Sequence, residues 1–232
     1  MKERAPYICK LKTDKILPMS KNKNMYKIVF LRHGESTGNA EGYFQGQGDF
    51  PLTKRGQEQT RALAERWLKE KRKFDYVIAS PLSRTRETVE ILAEKMSFSI
   101  DEFDPIWMER HNGEITGMKH EEGRKKMFPS PYRNPYQTFA GNGESDFELF
   151  LRAGQAIQSL LMRPFGHYLV VSHGAMLNSV MKSITGVAPH ANYQGAQFRF
   201  RNTAFATLSY LPHAHRWYIE GLNDRYHWSE ND

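Results

Sequence analysis

The stretch KIVFLRHGESTGN, Lys27 to Asn39, decides how this chain is read. Ile28 to Leu31 form a short apolar run bounded by polar residues and glycine, the pattern of a strand buried on both faces. The run stops on Arg32 and His33, so its end delivers two polar side chains to the rim of a sheet. Gly34 behind them lets backbone come close to a ligand.

Two further apolar runs repeat the arrangement. FDYVIA (74–79) is followed by Ser80-Pro81, read as an N-cap and first helical residue, with Arg84 in the first turn of a helix reaching about Met96. YLVVS (168–172) is followed by His173, and then by Gly174 opening a helix that Gly186 stops. Thr53 caps a helix over 53–72, and Ser145 with Glu148 makes a capping box for another over 145–162. Prolines 129, 131 and 135 break the segment between Asp104 and Gly143 into loop, and strand-like stretches near 197–210 and 216–221 follow.

Strands alternating with helices predict an α/β fold, a three-layer sandwich with a mostly parallel central sheet flanked by helices. Ligands of such sheets bind beyond the carboxyl ends of the strands. Arg32, His33, Arg84 and His173 are therefore expected to converge there. Two helix N-termini add backbone N–H groups, which makes a site for a dianionic oxyanion, phosphate foremost.

The 232 residues suffice for one α/β domain, placed at 26–228. Of the net charge of +7, residues 1–27 supply most, with eight basic side chains against two acidic ones. The excess is thus a property of a basic N-terminal extension, residues 1–25, read as solvated and flexible. Nucleic acid is not expected as a partner, and a homodimer is left open. Cys9 is the only cysteine, and no apolar run spans a bilayer or forms a signal peptide, so a cytoplasmic protein without membrane attachment is expected. His213 and His215 lack an evident third ligand, so no metal is expected.

LRHGESTGN strongly resembles the signature of the histidine phosphatase superfamily, phosphoglycerate-mutase-like branch. QGQGDFPLTKRGQEQ, SPLSRTRET, MERHNGEITGM and VVSHGAML resemble its later motifs in the expected order. The resemblance implies that His33 becomes phosphohistidine and that Arg32, Arg84 and His173 hold the phosphoryl group. It implies phosphate contacts from Asn39, with Gln45, Ser36 and Gly174 as further candidates, and it makes Glu109 the proton donor. A donor must be protonated, so partial burial near the phosphate is expected to raise the pKa of Glu109. The alternative for Glu109 is a surface ion pair with Arg110. Tyr132 and Arg133 are candidate lid contacts to the leaving group, or else part of a packing loop braced by prolines.

The expected activity is hydrolysis of small phosphorylated metabolites, without a cofactor. The runner-up is a phosphoglycerate mutase, which would need 2,3-bisphosphoglycerate. MERHNGEITGM resembles the mutase acid motif closely, whereas the short segment from Met118 to Ser145 lacks the long mutase insertion with its paired arginines. FPSPYRNPYQTFAGNGES and GLNDRYHW resemble the lid and C-terminal motif of broad-specificity phosphatases. A third reading is a non-catalytic protein that binds a phosphate ligand, or nucleic acid through its basic tail.

Overall fold

The apolar run at Ile28–Leu31 sits inside β1 (Tyr26–Arg32), the strand around which the sheet is built. The computed structural model describes residues 24–127 and 132–228, so nearly all of the N-terminal extension lies outside the described residues. β4 (Gly166–Ser172) pairs parallel with β1, with Arg32 opposite Ser172. β2 (Tyr76–Ala79) pairs parallel with β4, and the two-residue β3 (Glu102–Phe103) extends that edge. On the other side of β1, β5 (Phe205–Leu211) and β6 (Arg216–Asp224) add antiparallel pairings. The order β3-β2-β4-β1-β5-β6 gives one six-stranded, mostly parallel sheet.

Alternate residues of β1 enter two cores, which is why the run is continuously apolar. Ile28 and Phe30 pack against α5 (Asp146–Leu161) and α6 (Gly174–Thr185), through Leu149, Ala153, Leu177 and Met181. Val29 and Leu31 pack against α2 (Lys54–Lys69) and α3 (Ser83–Met96), through Leu63, Trp67, Val89 and Leu92. Helices therefore cover both faces of the sheet. No helix among the described residues is long and apolar enough to cross a membrane.

Local chemistry fixes the element ends. Thr53 Oγ1 accepts from the Gly56 N–H at 3.0 Å, and Ser145 and Glu148 exchange the two bonds of a capping box. Gly186 closes α6 with φ 71°, a left-handed value suited to glycine. Ser80 departs from expectation. The N-cap of α3 is Leu82, and the Ser80 side chain reaches into the site instead. The strand expected from 197 begins only at Phe205, because Thr203 turns the chain at φ 54°. The segment expected to be all loop holds a short helix, α4 (His120–Met127). A four-residue helix, α1 (Thr37–Ala40), follows the site loop.

The exit of β1 lies in backbone contact with the start of α2. A Cβ built on Gly56 falls 2.0 Å from the Glu35 carbonyl oxygen, and one on Gly34 falls 2.6 Å from the Gly56 carbonyl oxygen. Neither neighbour is a side-chain tip that can swing away. Gly56→Ala is expected to cost roughly 1–3 kcal/mol or more, seen as a fall of several degrees in Tm on thermal unfolding. An unchanged Tm would mean that this contact opens freely.

Candidate active site

Parallel strands place their last residues at one rim, and backbone bonds lock them there. The His33 N–H donates to Ser172 O at 3.1 Å, and the Ser80 N–H donates to Val171 O at 2.9 Å. His33, Ser80 and His173 thus leave the sheet side by side, with Arg84 one helical turn away. Arg32, His33, Asn39, Gln45, Arg84 and Glu109 all line one cavity of about 270 Å³ at this rim. Ser36, His173 and Gly174 stand behind its wall rather than on it.

His33 is 2% exposed. Its Nδ1 lies 2.7 Å from Gly34 O, an atom that only accepts, so Nδ1 carries the proton and Nε2 keeps its lone pair. Burial, then Arg84, then Arg32 hold the His33 pKa well below the ordinary histidine value. The ring is therefore a neutral base with one free nitrogen, the state a nucleophile needs.

Arg84 is 1% exposed. Its Nη1 and Nη2 donate to the carbonyls of Gly48 and Gly46, at 3.0 and 2.7 Å, and Nε donates to His173 Nδ1 at 3.2 Å. Burial lowers its pKa to about 10, which leaves it a cation at neutral pH. Accepting at Nδ1 leaves His173 a proton on Nε2, which faces Ser80 Oγ at 2.8 Å. Burial, followed by Arg84, lowers the His173 pKa far enough to keep it neutral. The His173 and His33 rings lie 5.2 Å apart between centroids, tilted by 57° to one another. With both nitrogens engaged, it positions Arg84 in this state of the site.

Asn39 Oδ1 accepts from the Ser36 N–H at 3.2 Å and from Asn202 Nδ2 at 3.1 Å, which orients its NH₂ as a donor. Ser36 Oγ lies 2.9 Å from Asn39 Oδ1 and 2.7 Å from Gln45 Oε1, so Ser36 brackets both amides. Two guanidinium groups and two side-chain amides thereby converge on a cavity beside His33 Nε2, which is a set of donors suited to phosphoryl oxygens.

Glu109 lines the same cavity and is half-buried. It makes no ion pair with Arg110, whose guanidinium goes to Asp146. Its Oε1 accepts from the N–H groups of Arg110 at 2.9 Å and Met176 at 3.0 Å, and Oε2 accepts from Ala175 N–H at 3.2 Å. The partly buried carboxylate is held against the first turn of α6 by backbone donors. Tyr132, 77% exposed, and Arg133 line a different cavity, with Lys126 and Thr138. Arg133 pairs with Asp146 at 2.9 Å and stacks on Phe139, an anchor for the packing loop.

Sequence reasoning missed two residues that set this geometry. Asn202 Nδ2 bridges His33 O and Asn39 Oδ1, each at 3.1 Å. Arg152 donates to the carbonyls of Ile106, Met108 and Glu109 and makes a bidentate pair with Glu144, which holds the strand of chain carrying Glu109. Its signal was that it is the one basic residue of α5.

Comparisons with known proteins agree with the geometry. The model of the histidine phosphatase superfamily (branch 1) matches residues 28–225. The chain is 32% identical over 214 residues to a probable phosphoglycerate mutase GpmB of Serratia proteamaculans, covering 88% of this chain and 95% of that one. Among solved structures, Bacillus stearothermophilus YhfR superposes with a TM-score of 0.74 at 25% identity, covering 87% and 98% of the two chains. A phosphoserine phosphatase from Entamoeba histolytica shares the fold, with a TM-score of 0.70 at 23% identity over 87% and 98%. The chain belongs to the histidine phosphatase superfamily, branch 1.

Proposed function

We propose that this protein is a phosphatase that hydrolyses small phosphorylated metabolites through a phosphohistidine on His33, with Glu109 as proton donor. The observation that carries this reading is the neutral His33, its free Nε2 beside a cavity ringed by Arg32 and Arg84 and faced by Glu109. Nε2 attacks phosphorus, the ester P–O bond breaks, and the departing alkoxide takes a proton from Glu109. Arg32, Arg84, Asn39 and Gln45 stabilise the charge spread over the equatorial oxygens. Water then attacks the phosphohistidine, gives its proton to Glu109, and frees phosphate and His33. The scheme calls on no metal and no cofactor.

A mutase would use the same first step in reverse, returning the phosphoryl group to substrate before water arrives. The name of the Serratia relative and the acid motif MERHNGEITGM favour it. The short segment between the acid motif and α5 favours hydrolysis, because it is too brief for the mutase insertion. Phosphorus NMR on 3-phosphoglycerate with a trace of 2,3-bisphosphoglycerate decides between them. The expected outcome is inorganic phosphate without 2-phosphoglycerate. Rapid isomerisation with little phosphate would make the protein a mutase primed by the bisphosphate.

A further inference from the structure

The catalytic cavity does not end at the reacting centre. A second cavity of about 250 Å³ adjoins it, and Phe44, Asn112 and Ala175 line both. One face of α6 forms its floor. Ala175, Asn178, Ser179 and Lys182 lie at the spacings that align on a helix and together line this second space. Ala175 also donates its N–H to Glu109, so the same helix face runs from the proton donor to Lys182.

The charge in this space is unbalanced. Lys182 is only 9% exposed, and its ammonium makes no hydrogen bond or ion pair among the described residues. Among the described residues the carboxylate that acts on it is Asp146, which already pairs with Arg110 and Arg133. Of the residues lining the cavity, Lys182 and Arg110 are cations and Asp146 is the one carboxylate. Burial lowers the Lys182 pKa, with Asp146 opposing that effect and Arg110 and Arg133 adding to it. A lysine stem commonly lies along the surface with its head in water. This one is nearly covered and faces a hollow, the arrangement of a cation awaiting an anion.

We propose that the second cavity takes an anionic substituent, carboxylate or phosphate, on the leaving group of the substrate, and that Lys182 determines this specificity. The inference rests on the phosphatase reading and names the substrate class of that site. Seven residues separate Lys182 from Ala175, a rise of about 10 Å, and a helical side chain leans back toward the helix N-terminus. The second charge of the substrate thus stands less than about 10 Å from the group that protonates the leaving oxygen. Substrates are phosphomonoesters of small acids, or bisphosphates, rather than esters of neutral alcohols.

Three esters on one frame test this: phenyl phosphate, 4-carboxyphenyl phosphate and 1,4-phenylene bisphosphate. The wild-type protein is expected to favour one or both anionic esters over phenyl phosphate in kcat/KM. Lys182→Met, unbranched and of similar length, is expected to lose that preference by tenfold or more, and Lys182→Arg to keep it. Comparing the two variants on the same esters cancels the electronic effect of the para group. The better anionic ester tells carboxylate from phosphate. A preference unchanged in Lys182→Met, or absent from the wild-type protein while all three esters are hydrolysed, would overturn the inference alone. Failure of the wild-type protein to hydrolyse any of them would overturn the phosphatase reading, and the inference with it.

Discussion

The His33→Ala protein is expected to remain folded and to lose turnover by at least about 10⁴-fold. That loss corresponds to roughly 5.4 kcal/mol of transition-state stabilisation. The arginines and amides of the cavity stay in place and still bind the ester. What disappears is the nucleophilic lone pair of His33 Nε2, and a water in its position lacks both the nucleophilicity and the fixed approach. Deleting the ring removes one short bond to Gly34 O and opens a small cavity, at a cost of roughly 2–4 kcal/mol that a domain with two apolar cores tolerates. Circular dichroism and Tm check the fold. Acid quenching of the wild-type protein during turnover is expected to trap an acid-labile phosphoryl group that the variant does not form. Turnover within tenfold of wild type by folded His33→Ala protein would exclude the phosphohistidine route.

The same residue sets the acid limb of the pH profile. The reactive form is the neutral ring, which exists above the folded pKa. Burial, Arg84 and Arg32 place that pKa well below 6.5, so kcat/KM is expected to pass through pH 6.5 without a loss due to His33. The unfolded chain, by contrast, takes up a proton there near its ordinary value of about 6.5. Folding stability contributed by this neutral histidine is full above that value and falls as the pH drops below it.

The strand ends were legible in the sequence because two independent patterns coincide at each of them. An apolar run fixes where a buried strand stops, and the next residue is chemically unlike it. Arg32-His33 after β1 and His173 after β4 are read this way, and parallel pairing then brings them together. The capping box at Ser145 was equally legible, since its partners are three residues apart. Ser80 was misread for the same reason that made it attractive. Serine before proline satisfies the local rule for an N-cap, but its real partner, His173, is distant in sequence. Asn202 escapes local reading, and so does the hold of Arg152 on the Ile106–Glu109 backbone, because these partners lie more than forty residues away. α4 escapes because HEEGRKKM presents no apolar stripe. Only Gly123 is buried on it, where a Cβ would fall 2.5 Å from the Phe44 ring. Glu109 shows the limit most clearly. Its motif placed it in the site, yet nothing local revealed that α6 would supply two of its three N–H partners.

Those partners shape the second large effect, expected for Glu109→Gln. The amide keeps the shape of the side chain, and its oxygen can still accept from Arg110 and Met176, where Oε1 now sits. Its NH₂ loses the bond to Ala175, so the fold is retained while the transferable proton is gone. An alkyl phosphate expels a strongly basic alkoxide that needs that proton as the P–O bond breaks. Its phosphorylation step is expected to slow by about 10²–10⁴-fold in a single turnover. p-Nitrophenyl phosphate expels a weakly basic phenolate that leaves unassisted. Its first turnover is expected to proceed near the wild-type rate, as a burst of nitrophenolate equal to the enzyme present. Steady turnover then falls behind the burst, because the water that attacks phosphohistidine has lost its base. One stopped-flow comparison of the two esters thus separates the acid role from the base role of the same carboxylate. If the burst with p-nitrophenyl phosphate slows as much as the alkyl reaction, Glu109 holds the substrate or the α6 terminus in place and donates no proton.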